Sequence, residues 1–169
     1  AQEVGKSSIF LESDGVKAML DAGIRVHDKN EVPPIEKTNP NAVIISHAHL
    51  DHCGSLPVLF KNRPVHALAT FPTIPIINLL IEDSEKIALS TRKSLPYGRQ
   101  DVKRMNDHLT PLPYNTEYEF YNGMTVEMLD AGHILGSAMA LIKNGKKLLY
   151  TGDFNTAKTK LHEPAKPPK

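Results

Sequence analysis

The sequence lacks several features that would assign it to a specialised class of protein. Cys53 is the only cysteine among its 169 residues, which excludes an internal disulfide and fits an intracellular chain. There is no tryptophan, and no apolar run approaches the roughly 20 residues of a membrane-spanning helix. The N-terminal segment AQEVGKSS has no apolar signal core. We therefore predict a protein without a membrane span, located in the cytoplasm or, in a eukaryote, in the nucleus.

A large excess of charge of one sign is also absent. The 20 Lys and Arg residues nearly balance 19 Asp and Glu residues, for a net charge of +1. This is not the strongly basic balance of a dedicated nucleic-acid-binding protein, although a local basic patch stays compatible with it. We interpret the small cluster of Arg99, Lys103 and Arg104 as a solvated helix face. The length suits one domain with a hydrophobic core.

The apolar pattern predicts hairpins of strands at both ends of the chain, with helices between them. Strands are predicted at 7–12, 16–21, 42–46, 65–69, 118–121, 125–129, 138–142 and 147–151, and helices at 55–61, 73–93 and 100–108. Asp14-Gly15 and Asn144-Gly145 are favoured hairpin turns, and Ser55 is a candidate helix cap. The order indicates an α+β fold. Residues 1–160 are expected to form the domain, followed by a disordered Lys- and Pro-rich tail at 161–169.

The segment HAHLDH, residues 47–52, follows the buried strand 42–46 and is rich in metal-binding side chains. Because side chains alternate between faces in an extended segment, His47, His49 and Asp51 can point the same way, while His52 approaches from another direction. Imidazole and carboxylate groups are good ligands for zinc and similar ions. Two neighbouring metals could divide the set, with His47 and His49 on one and Asp51 and His52 on the other.

Two further candidate ligands occur downstream, each at the end of a predicted strand. His133 lies in the glycine-flanked loop DAGHILGS, and Asp153 follows the strand LLYTG. Active-site residues gather on such connecting segments of layered sheets. Taken singly, these are ordinary loop and turn residues, whereas in combination they favour a metal site. The residues interpreted as structural or surface side chains are Cys53, His27, His66 and His108.

Four segments together resemble a known family. Asp21 in LDAG, then HAHLDH, the His133 loop and Asp153 in TGDF are similar, in order, to the first four motifs of the metallo-β-lactamase superfamily. The flanks AQEVGKSS, HAHLDHCGSLP, AGHILGSAM and LLYTGDFN resemble its β-CASP nuclease branch. That branch includes the 73-kilodalton subunit of the cleavage and polyadenylation specificity factor and its archaeal relatives. These enzymes are zinc-dependent endoribonucleases that act in mRNA 3′-end processing or RNA decay.

The resemblance implies an αββα sandwich of two facing sheets and a site for two zinc ions. The side chains implied as ligands are His47, His49 and His133 for one zinc, Asp51 and His52 for the second, and Asp153 as a bridge between both. Asp21 is implied to orient the site without binding metal, so that Asp51 and Asp21 have catalytic roles. A hydroxide between the metals would attack an RNA phosphodiester.

In the family, a β-CASP domain follows the TGDF motif, and later segments supply a further acidic residue, a general-acid histidine and a last zinc-binding histidine. No segment of this sequence matches these. We therefore expect an incomplete N-terminal portion of the sandwich, in which one zinc is weakly bound or absent and RNA cleavage is weak or lacking. An unfinished sheet edge predicts association, as a homodimer or with subunits of an RNA-processing complex.

Two other functions remain open at this point. Related hydrolases use the same ligands on thioesters and other small substrates, and relatives with decayed ligands are non-catalytic scaffolds. The nuclease-like flanks favour a metal-dependent hydrolase of single-stranded RNA over a small-molecule hydrolase. The intact ligand set favours it over a scaffold for the whole protein, whereas for the incomplete portion alone the scaffold function stays open.

Overall fold

The computed structural model describes residues 5–25 and 31–168, which form two facing β-sheets. Within these residues the first sheet contains, in order, β1 (Ile9–Ser13), β2 (Val16–Leu20), β3 (Ala42–Ile44), β4 (His66–Thr70) and β5 (Leu109–Leu112). The second contains β6 (Glu117–Tyr121), β7 (Met124–Asp130), β8 (Ala138–Asn144) and β9 (Lys146–Tyr150). The α-helices are α1 (Leu50–Cys53), α2 (Thr73–Thr91) and α3 (Arg99–Asp107), with 3₁₀ segments at Ile35–Lys37 and Leu56–Phe60. No helix in the described ranges combines the length and apolar character needed to cross a membrane.

The order of the first sheet determines which chain segments meet at one edge. β1 and β2 form an antiparallel hairpin, whereas β2, β3, β4 and β5 run parallel to one another. Leu20, the last residue of β2, lies opposite Ile44, the last residue of β3. The residues that follow both strands, Asp21 and the segment Ile45–His47, therefore leave the sheet side by side.

The core has two layers, because successive side chains along a strand point to opposite faces of the sheet. Val16, Ala18 and Leu20 of β2 face the second sheet, where they pack with residues such as Val126 and Met128 of β7. The intervening Met19 faces the helical layer with Val43, Ala67, Phe60, Ile77 and Ile81. Asp21 and the segment Ile45–His47 thus lie at the end of a sheet that is buried on both faces.

The α+β class and both predicted hairpins are confirmed, and the structure differs from the local predictions at four points. β5 was not predicted because its sequence, LTPL, contains Pro111; it is an edge strand, where a residue without an N–H group is tolerated. The helix predicted at 55–61 is a 3₁₀ segment, Leu56–Phe60. Ser55 does not cap it, because its Oγ donates instead to the Gly23 carbonyl at 2.8 Å. α1 was missed because four residues show no helical period.

The segment after Asp153 crosses the outer face of the second sheet. The Ala165 N–H donates to the Asn155 carbonyl at 2.8 Å, and Ala165 packs against the cluster that contains Leu129 and Met139. Lys158 forms an ion pair with Glu163 in the same segment. Part of the predicted tail therefore contacts the sheet at Ala165.

Candidate metal centre

The structure brings all six candidate ligands together at the edge where the parallel strands end. They are His47 and His49 between β3 and α1, Asp51 and His52 within α1, His133 between β7 and β8, and Asp153 after β9. The two sheets contribute to one site because the backbone N–H of Ala138 in β8 donates to the Ser46 carbonyl at 2.8 Å.

Four of these side chains direct one atom each toward a common point. His49 Nδ1 lies 3.0 Å from His47 Nε2 and 3.3 Å from His133 Nε2. Asp153 Oδ2 lies 4.0 Å from His47 Nε2 and 3.8 Å from His133 Nε2, and the four atoms are all within 4.8 Å of one another. Ligands placed tetrahedrally about 2.0–2.1 Å from zinc are about 3.3 Å apart. The four donors therefore fit a single cation after small adjustments.

A second group of ligand atoms shares Asp153 with the first. Asp153 Oδ1 lies 3.5 Å from His52 Nε2, which is 3.8 Å from Asp51 Oδ2. The rings of His47 and His52 are adjacent, with centroids 4.2 Å apart. Asp51 lies beside His52 and not in line with His47, because the chain turns into α1 at Leu50 and strand alternation ends there. The two groups together form a candidate metal site.

Asp21 lies beneath these ligands as a fully buried carboxylate. Its Oδ1 accepts from the Ser46 N–H at 2.7 Å, and its Oδ2 accepts from Ser46 Oγ at 2.8 Å, His52 Nδ1 at 2.6 Å and Tyr150 Oη at 2.6 Å. Asp21 also has a φ of +61°, which an aspartate tolerates better than most residues. It lies in a position to orient His52, as the resemblance implies.

Ser46 and Tyr150 were not predicted as site residues. Each directly precedes a motif, HAHLDH or TGD, and carries a hydroxyl group at a strand end. That placement was the available signal, but the sequence does not show that both hydroxyls turn toward Asp21.

The surroundings of the clustered histidines shift their pKa values in different directions. Burial lowers the pKa of His47 to about 3, with a further contribution from neighbouring His52. Burial and the adjacent His49 also lower the pKa of His133. For His52, burial lowers the pKa, but the hydrogen bond that its ring donates to Asp21 and the nearby carboxylates outweigh burial and raise the pKa overall. Neutral imidazole is the form that binds metal, so the environment of His47 and His133 favours ligation.

Hydroxyl groups hold the loop that carries His133. Ser137 Oγ accepts the His133 backbone N–H at 3.2 Å. Thr70 and Thr73 both donate to the Gly136 carbonyl, at 2.6 and 2.8 Å. Gly136 has a φ of +84°, and a Cβ there would lie 2.5 Å from Thr73 Oγ1, so the loop needs glycine at this position. These buried contacts fix the backbone from which His133 reaches the other ligands.

Residues interpreted as structural are found away from the ligand cluster or packed beneath it. His66 Nε2 lies 3.0 Å from Thr110 Oγ1, and His108 Nδ1 lies 2.8 Å from the Arg104 carbonyl. Cys53 is fully buried, and burial raises the pKa of its thiol. His27 lies outside the described residues. These contacts support the structural interpretation of His66, His108 and Cys53.

We predict that Gly152→Ala destabilises the protein far more than Gly145→Ala. Both glycines have a left-handed backbone, with φ of +52° and +64°. A Cβ at Gly152 would lie 2.7 Å from both Cβ and Oγ of Ser46, whereas none of the described atoms lies within 4 Å at Gly145. We expect a loss in the free energy of unfolding of about 2–4 kcal/mol at Gly152 and about 1–2 kcal/mol at Gly145. Urea unfolding of both variants checks this, and equal losses would contradict it.

The ligand cluster is open to solvent on two sides. A groove of about 510 Å³ is lined by Asp51, His52 and Asp153 together with Lys6 and Ser8. A second groove, of about 520 Å³, begins at His133 and continues to Lys160 and His162. The cluster therefore lies along an open surface and not within a closed cavity.

Residues 10–166 match the metallo-beta-lactamase superfamily domain. The chain is 40% identical over 166 residues to the probable RNase MJ4 of Methanocaldococcus jannaschii, an alignment that covers 95% of this chain and 39% of that protein. It is 35% identical over 177 residues to the transcription termination factor FttA of the same organism, covering 98% of this chain and 28% of that protein. An RNase J-like protein of this organism is 33% identical, with coverages of 97% and 37%. The chain thus spans 28 to 39% of the length of these curated relatives.

Two solved structures are similar in fold. A protein of unknown function from Enterococcus faecalis superposes with a TM-score of 0.60 at 19% identity, over 90% of this chain and 41% of that one. Zn(2+)-bound PqqB from Methylobacterium extorquens superposes with a TM-score of 0.53 at 18% identity, over 86% and 48%. At these identities the likeness concerns the fold alone. The fold and the domain match together confirm the predicted metallo-β-lactamase sandwich.

Proposed function

We propose, because the chain belongs to the metallo-beta-lactamase superfamily, that it contains the metal-binding part of an RNA phosphodiesterase that acts in RNA processing or decay. The proposal depends mainly on the directions in which the two carboxylate oxygens of Asp153 point. One of its oxygens faces His47 and His133, and the other faces His52. This is the arrangement of a carboxylate that bridges two metal ions.

Zinc is the metal that the donor set fits, with two ions in the intact site. The ligands assigned to one ion are His47, His49 and His133, those to the other are Asp51 and His52, and Asp153 is shared. Three imidazoles with a carboxylate suit zinc better than harder ions that prefer oxygen ligands. Bound divalent ions would supply an acidified water and would offset negative charge on a phosphodiester. The contribution of the chain is to hold the ligands, with Asp21 orienting His52 from below.

Single-stranded RNA is the substrate that we assign. Relatives that match almost all of this chain are named as RNases and as a transcription termination factor. The open grooves on both sides of the ligand cluster suit a polymer that passes over it, whereas small substrates are usually enclosed. Lys6 and Lys160 line these grooves and bring positive charge toward a phosphate backbone. With this substrate, we assign the protein to the cytoplasm and expect it to associate with subunits of an RNA-processing complex.

A cleavage assay tests this function. Purified chain in excess over a 5′-labelled single-stranded RNA should cleave it slowly in the presence of zinc. Removal of the metal by a chelator, or His47→Ala, should lower the rate by roughly 100-fold or more. A thioester incubated in parallel should remain intact. Thioester hydrolysis without RNA cleavage would contradict the proposal and favour a small-molecule hydrolase.

A further inference from the structure

We propose that Ser46 is a positioning residue, through which the Asp21 carboxylate orients the ring of His47. Asp21 would then orient two histidines that lie on either side of Asp153, His52 directly and His47 through Ser46. This inference rests on the proposed metal centre and adds to it a residue that lies outside the ligand set. It concerns the orientation and the tautomer of the histidine ligands, and not the reaction at the metal centre.

The direction of two hydrogen bonds follows from the groups that make them. Ser46 is 1% exposed, and its Oγ lies 2.8 Å from Asp21 Oδ2 and 2.9 Å from His47 Nδ1. A hydroxyl has one proton, and a carboxylate can only accept. Ser46 therefore donates to Asp21 and accepts the proton on Nδ1 of His47. This leaves the lone pair of His47 on Nε2, the atom that lies among the other ligand atoms.

His52 is set by the same carboxylate without an intermediate. Its Nδ1 lies 2.6 Å from Asp21 Oδ2 and must donate to it. Its Nε2 is then left with a lone pair that faces Asp51 and Asp153. One carboxylate thus determines which nitrogen is available in both groups, directly for His52 and through a hydroxyl for His47.

The backbone of Ser46 keeps its hydroxyl in place. Its N–H donates to Asp21 Oδ1 at 2.7 Å, and its carbonyl accepts from the Ala138 N–H of the second sheet at 2.8 Å. Gly152 packs so closely that a Cβ there would meet Ser46 Oγ at 2.7 Å. Ser46→Ala removes only the hydroxyl and keeps both backbone bonds, so it isolates the connection to His47.

Ser55 provides a matched control within the same region. It is also fully buried, and its Oγ donates to the Gly23 carbonyl at 2.8 Å. Ser55→Ala therefore removes a buried hydroxyl and one hydrogen bond without touching a histidine. A general effect of losing a buried hydroxyl should appear in both variants, and an effect on His47 only in Ser46→Ala.

Two measurements on the full chain test the proposal. Histidine ring ¹⁵N–¹H correlation spectra of the metal-free chain should show His47 with its proton on Nδ1, and Ser46→Ala should shift it toward the Nε2-protonated form. Zinc titration should show one binding step weakened by roughly 10- to 100-fold in Ser46→Ala, as when second partners of metal-binding histidines are removed. The other step should stay within about twofold, and Ser55→Ala should change neither measurement.

Several outcomes would overturn the proposal. A wild-type His47 protonated on Nε2 would do so without any variant. An unchanged His47 tautomer and unchanged zinc binding in Ser46→Ala would leave Ser46 with a purely structural role. If Ser46→Ala does not fold, Ser46→Cys keeps the size of the side chain with a weaker hydrogen-bonding group, and unchanged zinc binding there would overturn it. Both measurements are independent of RNA cleavage, so thioester hydrolysis without RNA cleavage would contradict the proposed function alone and leave this inference in place.

Discussion

Replacing Asp153 with alanine should remove most of the metal that the purified chain binds. Asp153 directs one oxygen toward His47 and His133 and the other toward His52, so both groups of ligands lose a donor at once. Its side chain is about half exposed. Without it, two bound metal ions would lie close together with no carboxylate between them to offset their positive charges. Removal of a residue that only hydrogen-bonds to a metal ligand lowers metal affinity roughly 10- to 100-fold. We therefore expect loss of a ligand shared by two metal ions to lower it at least about 100-fold.

Elemental mass spectrometry of dialysed protein measures this directly, as zinc per chain. Asp107→Ala is the matched control, because Asp107 is an exposed aspartate at the end of α3. Two zinc ions in the wild type that fall sharply in Asp153→Ala would mean that these residues assemble both sites. One zinc ion in the wild type would mean that the Asp51 and His52 group needs a further ligand. Equal zinc in Asp153→Ala and the wild type would contradict the bridging role.

The candidate ligands could be proposed from the sequence because each of them follows the end of a predicted strand. Residues 47–52 follow a buried strand, and His133 and Asp153 each follow a later one. The order of the strands in the two sheets and the contact between Ser46 and Ala138 bring these ends to one edge, which a short apolar pattern cannot reveal. The predicted grouping of Asp51 with His52 agrees with the structure. Strand alternation wrongly aligned Asp51 with His47 and His49, because α1 begins at Leu50.

The residues beneath the ligands could not be predicted from sequence for a different reason. Ser46 and Tyr150 act through hydroxyl groups that point to Asp21, and that direction depends on how the ends of β3 and β9 lie relative to the end of β2. A serine and a tyrosine at strand ends are ordinary residues in a sequence. Pro111 misled the assignment of β5 in a similar way, because only the position of a strand at the sheet edge makes proline acceptable.

Asp21→Ala should lower the free energy of unfolding of the metal-free protein by about 3–5 kcal/mol. Asp21 is fully buried, and its removal leaves the Ser46 hydroxyl, His52 Nδ1 and the Tyr150 hydroxyl without their acceptor. Each buried donor without a partner costs about 1–3 kcal/mol. Urea unfolding in the presence of a chelator measures this loss separately from metal binding. Asp14→Ala controls for the backbone, because Asp14 also has a positive φ, of +49°, but lies in an exposed hairpin turn.

Asp21→Asn separates the charge and acceptor capacity of Asp21 from its shape. An amide keeps one accepting oxygen, but its nitrogen can only donate, and the atoms around Asp21 Oδ2 are themselves three donors. Whichever way the amide turns, at least one donor faces another donor, so we expect a loss of at least about 2 kcal/mol despite the nearly unchanged volume. His52 should also lose its fixed tautomer in the ring ¹⁵N spectrum. An Asp21→Asn protein as stable as the wild type, with His52 unaltered, would show that space filling and not hydrogen bonding is what Asp21 contributes beneath the metal ligands.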